Sequence, residues 1–226
     1  SLTNKNWIGF RSGDDEGSYD ENYQELAYLV NTSFVSINNN PYSILGNYGY
    51  YFAYREPFIL EFTFENIPFI LINNHYKCCG DGIIQNDDWD EEHRRWQASI
   101  YLKNYIDIYL PDENVIVLGD FNDDIVESNQ NNVFIDFIND SENYFFADTH
   151  IANGPSSDWS FPNWPSHLDH ILITNELFDD VNNENTFTFK IDDYMNGWSN
   201  YDYYISDHRP VAINVSVNIY GDINGD

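Results

Sequence analysis

Apolar positions bunch or alternate with polar ones in six short stretches: ELAYLV (25–30), PFILEFTF (57–64), PFILINNHY (68–76), NVIVLGD (114–120), HLDHILIT (167–174) and RPVAINVSV (209–217). Short runs of β-branched and aromatic residues bounded by Asn, Asp, Gly or Pro predict strands. Between the third and fourth the period changes. Asp90 is a plausible N-cap, followed by Glu91 and Glu92. The run EEHRRWQASIYLKNYIDIYL then places Ala98, Tyr101, Leu102, Tyr105 and Tyr109 on one stripe before Pro111 ends it. That spacing predicts a helix, and its charged trio His93, Arg94 and Arg95 is expected on a solvated face. A strand, a helix and a strand in succession make a crossover, so 68–76 and 114–120 should lie parallel with their carboxyl ends on one edge. His75 and Asp120 meet there, at the kind of edge where α/β sheets collect ligands.

At 226 residues the chain is long enough for one well-buried domain. We assign residues 1–218 to it and 219–226 to a linker or the start of a calcium-binding repeat, because YGDINGD alternates acids as the first half of a calcium loop does. Nine Lys and Arg against 38 Asp and Glu leave a net charge of −29. That field repels phosphate polymers at long range and excludes a basic-groove nucleic-acid binder. Apolar runs such as 69–72 and 115–118 are far shorter than the ~20 residues of a membrane helix. Cys78 and Cys79 are neighbours and cannot staple distant segments; free thiols in a Gly-rich turn are expected rather than a vicinal disulfide. His150, His167 and His170 have no zinc-ligand spacing.

Four motifs follow one another at strand ends: INNHYK (72–77), LGDFND (118–123), LDHILIT (168–174) and SDHRPV (206–211). Their order and spacing resemble the endonuclease/exonuclease/phosphatase superfamily. Upstream, NYQELAYLVNTSFVSI and YREPFILEF look like its deoxyribonuclease I-like branch, and the likeness covers roughly residues 7 to 217. The resemblance implies a four-layer α/β sandwich of two packed, mostly antiparallel sheets flanked by helices. It also implies a secreted, monomeric, divalent-metal-dependent DNA endonuclease using Mg2+, with Mn2+ or Ca2+ as alternatives. Phosphodiester hydrolysis needs a deprotonated water, a protonated leaving oxygen and charge neutralisation on the phosphate. On this likeness His208 is the base, held by Asp169, and His75 is the opposing acid or phosphate donor, oriented by Glu25. Asp120 positions the nucleophile, Asp207 ligates the metal, and Asn122, Arg55 and Tyr23 contact substrate phosphate.

The chain also departs from that pattern. No strand ending in Gln-Glu precedes Tyr23, so the carboxylate that completes the metal site and the first strand-helix-strand unit are absent from the sequence as given; an N-terminal truncation is expected. His170 stands where relatives usually carry Tyr or Arg, so a different substrate-facing wall is expected. Two rivals follow: a phosphomonoesterase or sphingomyelinase-like enzyme on the same fold, and an inactive fragment or non-catalytic module.

Overall fold

A computed structural model describes residues 6–13, 25–181 and 184–216. In chain order the strands and helices are β1 (Trp7–Arg11), β2 (Ala27–Asn31), β3 (Ser36–Ile37), β4 (Tyr42–Ser43), β5 (Phe58–Phe64), β6 (Ile67–His75), α1 (Glu91–Tyr109), β7 (Val115–Asp120), α2 (Ile135–Ile138), β8 (Tyr144–Phe146), α3 (Thr149–Ala152), β9 (Asp169–Thr174), β10 (Thr186–Thr188), α4 (Trp198–Tyr204) and β11 (Val211–Ile213). The main sheet runs β3-β5-β6-β7-β9-β8, with β4 also pairing β5. Only β6 and β7 are parallel in it, as a helical crossover requires. β1–β2 and β10–β11 form two separate antiparallel pairs.

Alternation along the strands sends side chains to two different cores. Ile59, Ile70, Ile72, Val115, Val117 and Leu172 face α1, packing with Ala98, Leu102 and Ile106. Residues of opposite parity face the strand pairs: Phe69, Ile116, Ile171 and Ile173 meet Val211 and Ile213, while Phe58 and Leu60 meet Leu26, Tyr28 and Val30. The result is an α/β sandwich in which helix α1 covers one face of the main sheet and a split second sheet layer covers the other. Among the described residues no helix is long and apolar enough to cross a membrane.

The strands at 57–64, 68–76 and 114–120 form within a residue or so of their expected limits. The last one is cut to Val211–Ile213. Asp90 caps α1 by accepting from the His93 amide at 2.7 Å. The stripe differs from expectation: Ile106 is in the core, whereas Tyr109 is 66 % exposed. The His93–Arg95 turn is buried, not solvated. It is admitted because its charges are matched. Arg95 donates to Asp123 Oδ2 at 2.7 Å and to the Lys77 and Cys79 carbonyls. Arg94 bonds the Tyr50 carbonyl and lies over that ring. Cys78 and Cys79 are exposed free thiols. Tyr23 and the acidic segment 219–226 lie outside the described residues.

Gly119 sits inside β7 at φ +136°, and a Cβ there would run into the Asn74 backbone of β6. Only glycine lets the two parallel strands approach at the residue before Asp120. Gly119→Ala is therefore expected to cost roughly 3 kcal/mol, by strain and forced separation, measured as a lower midpoint in denaturant unfolding.

Candidate active site at the sheet edge

His75 ends β6, Asp120 ends β7 and Asp169 begins β9. In register, His75 lies opposite Asp120 and Asp120 opposite Asp169. All three share the parity of Leu71, Leu118 and Ile171, so their side chains emerge on the face toward the second sheet layer. His208, three residues before β11, reaches them from that layer. Its Nδ1 lies 2.7 Å from Asp169 Oδ2, and His75 Nε2 lies 3.4 Å from Asp120 Oδ2.

The backbone around these groups is held from several sides. Asp120 Oδ1 accepts from the Asn122 amide at 2.9 Å, which closes a turn placing Asn122 at φ +53°. The Asn122 amide side chain donates to the Tyr76 carbonyl at 3.1 Å. Arg55 donates from Nε to the His75 carbonyl at 3.1 Å and from Nη2 to the Tyr76 carbonyl at 2.7 Å. The Ser160 hydroxyl accepts from the amides of Leu168 and Asp169, and the Ser160 carbonyl accepts from the Arg209 amide. Arg209 forms a two-pronged ion pair with Asp192, at 2.9 and 2.6 Å. Ser160 thus ties Asp169 and His208 to one loop, and Phe161 lays its ring 4.8 Å from that of His208.

The two histidines are driven apart electrostatically. Burial, then the charges of Arg55 and His208, lower His75 to about 4. For His208, burial opposes the charge, but the hydrogen bond and charge of Asp169, with Asp120 and Asp207 behind, push it up to about 9. Asp120 rises to about 6, through burial and then the neighbouring charge of Asp169. Before any metal binds, these shifts favour a protonated His208 and a neutral His75 near neutral pH, the opposite of the resting roles expected for the pair.

Other expected residues are placed differently. Glu25 does not orient His75: its carboxylate pairs with Arg11 at 2.7 Å across the β1–β2 ladder. A permanent guanidinium outcompetes an imidazole that stays neutral. Arg55 and Asn122 spend donors on the end of β6 and so position it. Asp207 is exposed and stands outside the group of Asp120, Asp169 and His208, whose ligand atoms all lie within 4.8 Å of one another. His170 lines no substrate wall, because it follows Asp169 in a strand and must point to the opposite face. There it is fully buried, with Nδ1 2.6 Å from Asp148 Oδ2 and Nε2 2.8 Å from the Asp123 carbonyl. His167 bonds the same Asp148 oxygen at 3.0 Å. Sequence reasoning missed Ser160, Asp192 and the Asp148 network; the parity of β9 was the available signal for the last.

The endonuclease/exonuclease/phosphatase family model matches residues 12–208. No curated protein matches the sequence significantly. Solved structures do. Zebrafish (D. rerio) TDP2 complexed with single-strand DNA product is 14% identical with a TM-score of 0.60, over 94% of this chain and 78% of that one. An endonuclease/exonuclease/phosphatase from Bacteroides vulgatus is 11% identical with a TM-score of 0.56, over 93% and 77%. A mannosyl-6-phosphatase from Bacteroides thetaiotaomicron is 14% identical with a TM-score of 0.52, over 94% and 78%. At such identities the likeness establishes the fold.

His208 has a folded pKa of about 9 against an ordinary 6.5. Its ion pair therefore adds stability that is fully present below the ordinary value and is lost as pH rises through about 9. Replacing Asp169 by Asn is expected to bring the His208 pKa down by more than a unit, read from its imidazole proton shifts in an NMR titration, and to flatten that part of the stability profile.

Proposed function

The chain belongs to the endonuclease/exonuclease/phosphatase family, and from that premise we propose that it is a divalent-metal-dependent phosphodiesterase, a secreted nuclease acting on DNA. The observation that carries this reading is the convergence of His75, Asp120 and Asp169 from three adjacent strands with His208 from the facing layer. Support for a DNA substrate comes from the fold shared with a TDP2 whose structure holds a single-strand DNA product. Support for secretion comes from the acidic composition and from the sequence likeness to the deoxyribonuclease I-like branch.

The donor set fits a hard cation. Asp120 and Asp169 crowd two carboxylates together, and burial and then the charge of Asp169 raise Asp120 to about 6, a cost that a bound cation would relieve. Their oxygens suit Mg2+, with Mn2+ or Ca2+ as alternatives. When bound, the metal supplies charge neutralisation on the phosphate oxygens.

The residues of the chain supply the rest. His208, protonated and held by Asp169, donates to a phosphate or leaving oxygen; Asp169 stabilises its charge. His75, neutral and backed by Asp120, is the ring able to accept a proton from water. Arg55 and Asn122 fix the end of β6 so that His75 keeps its distance from Asp120. A net charge of −29 keeps polymer affinity low, so substrate is gripped locally, through one or two phosphates.

Plasmid DNA and a sugar phosphomonoester, each assayed with Mg2+ and with EDTA, test the reading. DNA cleavage that EDTA abolishes is expected, and His208→Ala should lower kcat/KM by about 10²–10⁴-fold. Cleavage indifferent to EDTA sinks the metal dependence. Turnover of the phosphomonoester alone moves the enzyme to the phosphatase reading, which the mannosyl-6-phosphatase of the same fold keeps open.

A further inference from the structure

Away from the cleft, a second group of carboxylates gathers where the loop after β6 meets the first turn of α1. Asp81, Asp90 and Glu92 each present an oxygen, and these atoms lie within 4.8 Å of one another. Asp90 spends Oδ1 on the amides of His93 and Gln85. Glu92 is only 2 % exposed. Its Oε1 accepts from the Gly82 amide at 2.6 Å and lies 3.4 Å from Arg95 Nη2, but its Oε2 is buried with no hydrogen-bond partner. A buried carboxylate oxygen left unpaired is costly, and native structures rarely carry one without a donor or an ion.

The local charge balance points the same way. Arg95 serves Asp123 and the Lys77 and Cys79 carbonyls as well as Glu92. Glu127, nearby, has its carboxyl pushed up to about 7 by burial and then by Asp123 and Asp124. Negative charge here exceeds what Arg95, with Lys77 already 3.8 Å from Glu91, neutralises. Gly80, at φ +114°, lets the loop backbone close against the Glu92 carboxylate where a Cβ would collide with it. The loop is thus folded around an oxygen that has no hydrogen-bond partner among the described residues.

We propose that Asp81, Asp90 and Glu92 form a Ca2+ site that fastens the loop following His75 to the start of α1. Ca2+ binds oxygens at about 2.3–2.6 Å in flexible geometry and accepts ligands drawn from a loop and a helix start, whereas Mg2+ demands a near-ideal octahedron. Loop carbonyls and water complete the shell. Through Arg95 the site connects to Lys77, two residues after His75, and to Asp123, three after Asp120, so the ion steadies the rim of the catalytic edge.

Trp89, adjacent to Asp90 and 80 % exposed, provides a reporter: Tb3+ at this site draws emission from its indole, and Ca2+ displaces it. Titration of the full chain should give a Ca2+ Kd of about 10⁻⁴–10⁻³ M, with a rise in Tm on binding. Asp81→Asn, at an exposed position that does not threaten folding, should weaken Ca2+ at least about tenfold, as should Glu92→Gln. Trp89→Phe should remove the sensitised Tb3+ emission and keep the Ca2+ affinity. Asp120→Asn, in the cleft, should leave it within about twofold. Absence of Ca2+ binding by the wild type overturns the proposal. So does wild-type affinity in both Asp81→Asn and Glu92→Gln, or loss of binding in Asp120→Asn alone, which would put the ion in the cleft.

Discussion

Strand β7 is hydrogen-bonded to a parallel neighbour on one side and an antiparallel one on the other, and its last residue, Asp120, is in register with both His75 and Asp169. Because side chains alternate with a strict period of two, a slip of one residue in either ladder would turn a member of this row to the α1 face. Register is held by burial: Ile116 and Val117 face opposite cores, and neither can be exchanged for the other without exposing one. The chemistry at the edge is thus positioned by packing some distance away. Gly119 is the local cost of that arrangement, and Arg55 and Asn122 spend their donors keeping the last carbonyls of β6 in place.

The same alternation divides the histidines. Asp169 and His170 are chain neighbours with opposite fates: one carboxylate opens to the cleft, while one imidazole enters the core with both nitrogens bonded to acceptors, Asp148 and the Asp123 carbonyl. A ring with acceptors on both nitrogens must carry a proton on each, and its pKa is raised because Asp148 outweighs the cost of burial. This buried pair links α3 to the turn after β7. It holds Asp169 and the Asp120–Asn122 turn in a fixed relation without touching the cleft.

Much of this was legible before any coordinates. Period-two runs gave the central strands, the Asp90 cap gave the helix start, and the crossover rule gave the parallel pair that unites His75 with Asp120. What could not be read is where a charged side chain finds its partner. Glu25 was expected beside His75 and lies on Arg11, because the β1 hairpin partner was not recognised as a strand in WIGFR. Arg94 and Arg95 looked solvated because a helix face rich in charge usually is; here carbonyls and Asp123, over twenty residues away, make burial tolerable. Protonation was equally hidden, since the two rings are set about equally deep and are separated by Arg55 beside His75 and by the Asp169 hydrogen bond to His208.

A chain with 38 acids and nine Lys and Arg has few cations to distribute, and their placement shows what the fold demands. Arg95 and Arg209 are buried and matched to Asp123 and Asp192, and each braces a segment beside a proposed catalytic histidine: Arg95 through the Lys77 carbonyl, two residues after His75, and Arg209 as the residue next to His208. Buried pairs of this kind add little net stability but fix geometry, since removing one partner leaves the other charge uncompensated. Carboxylates crowd together at the proposed catalytic edge, Asp120 with Asp169, and in the loop before α1, Asp81 with Asp90 and Glu92. At the first, burial and then the charge of Asp169 raise Asp120; at the second, Glu92 Oε2 is buried with no hydrogen-bond partner among the described residues. With so few cationic side chains in the sequence, divalent ions are the means we propose for balancing both sites.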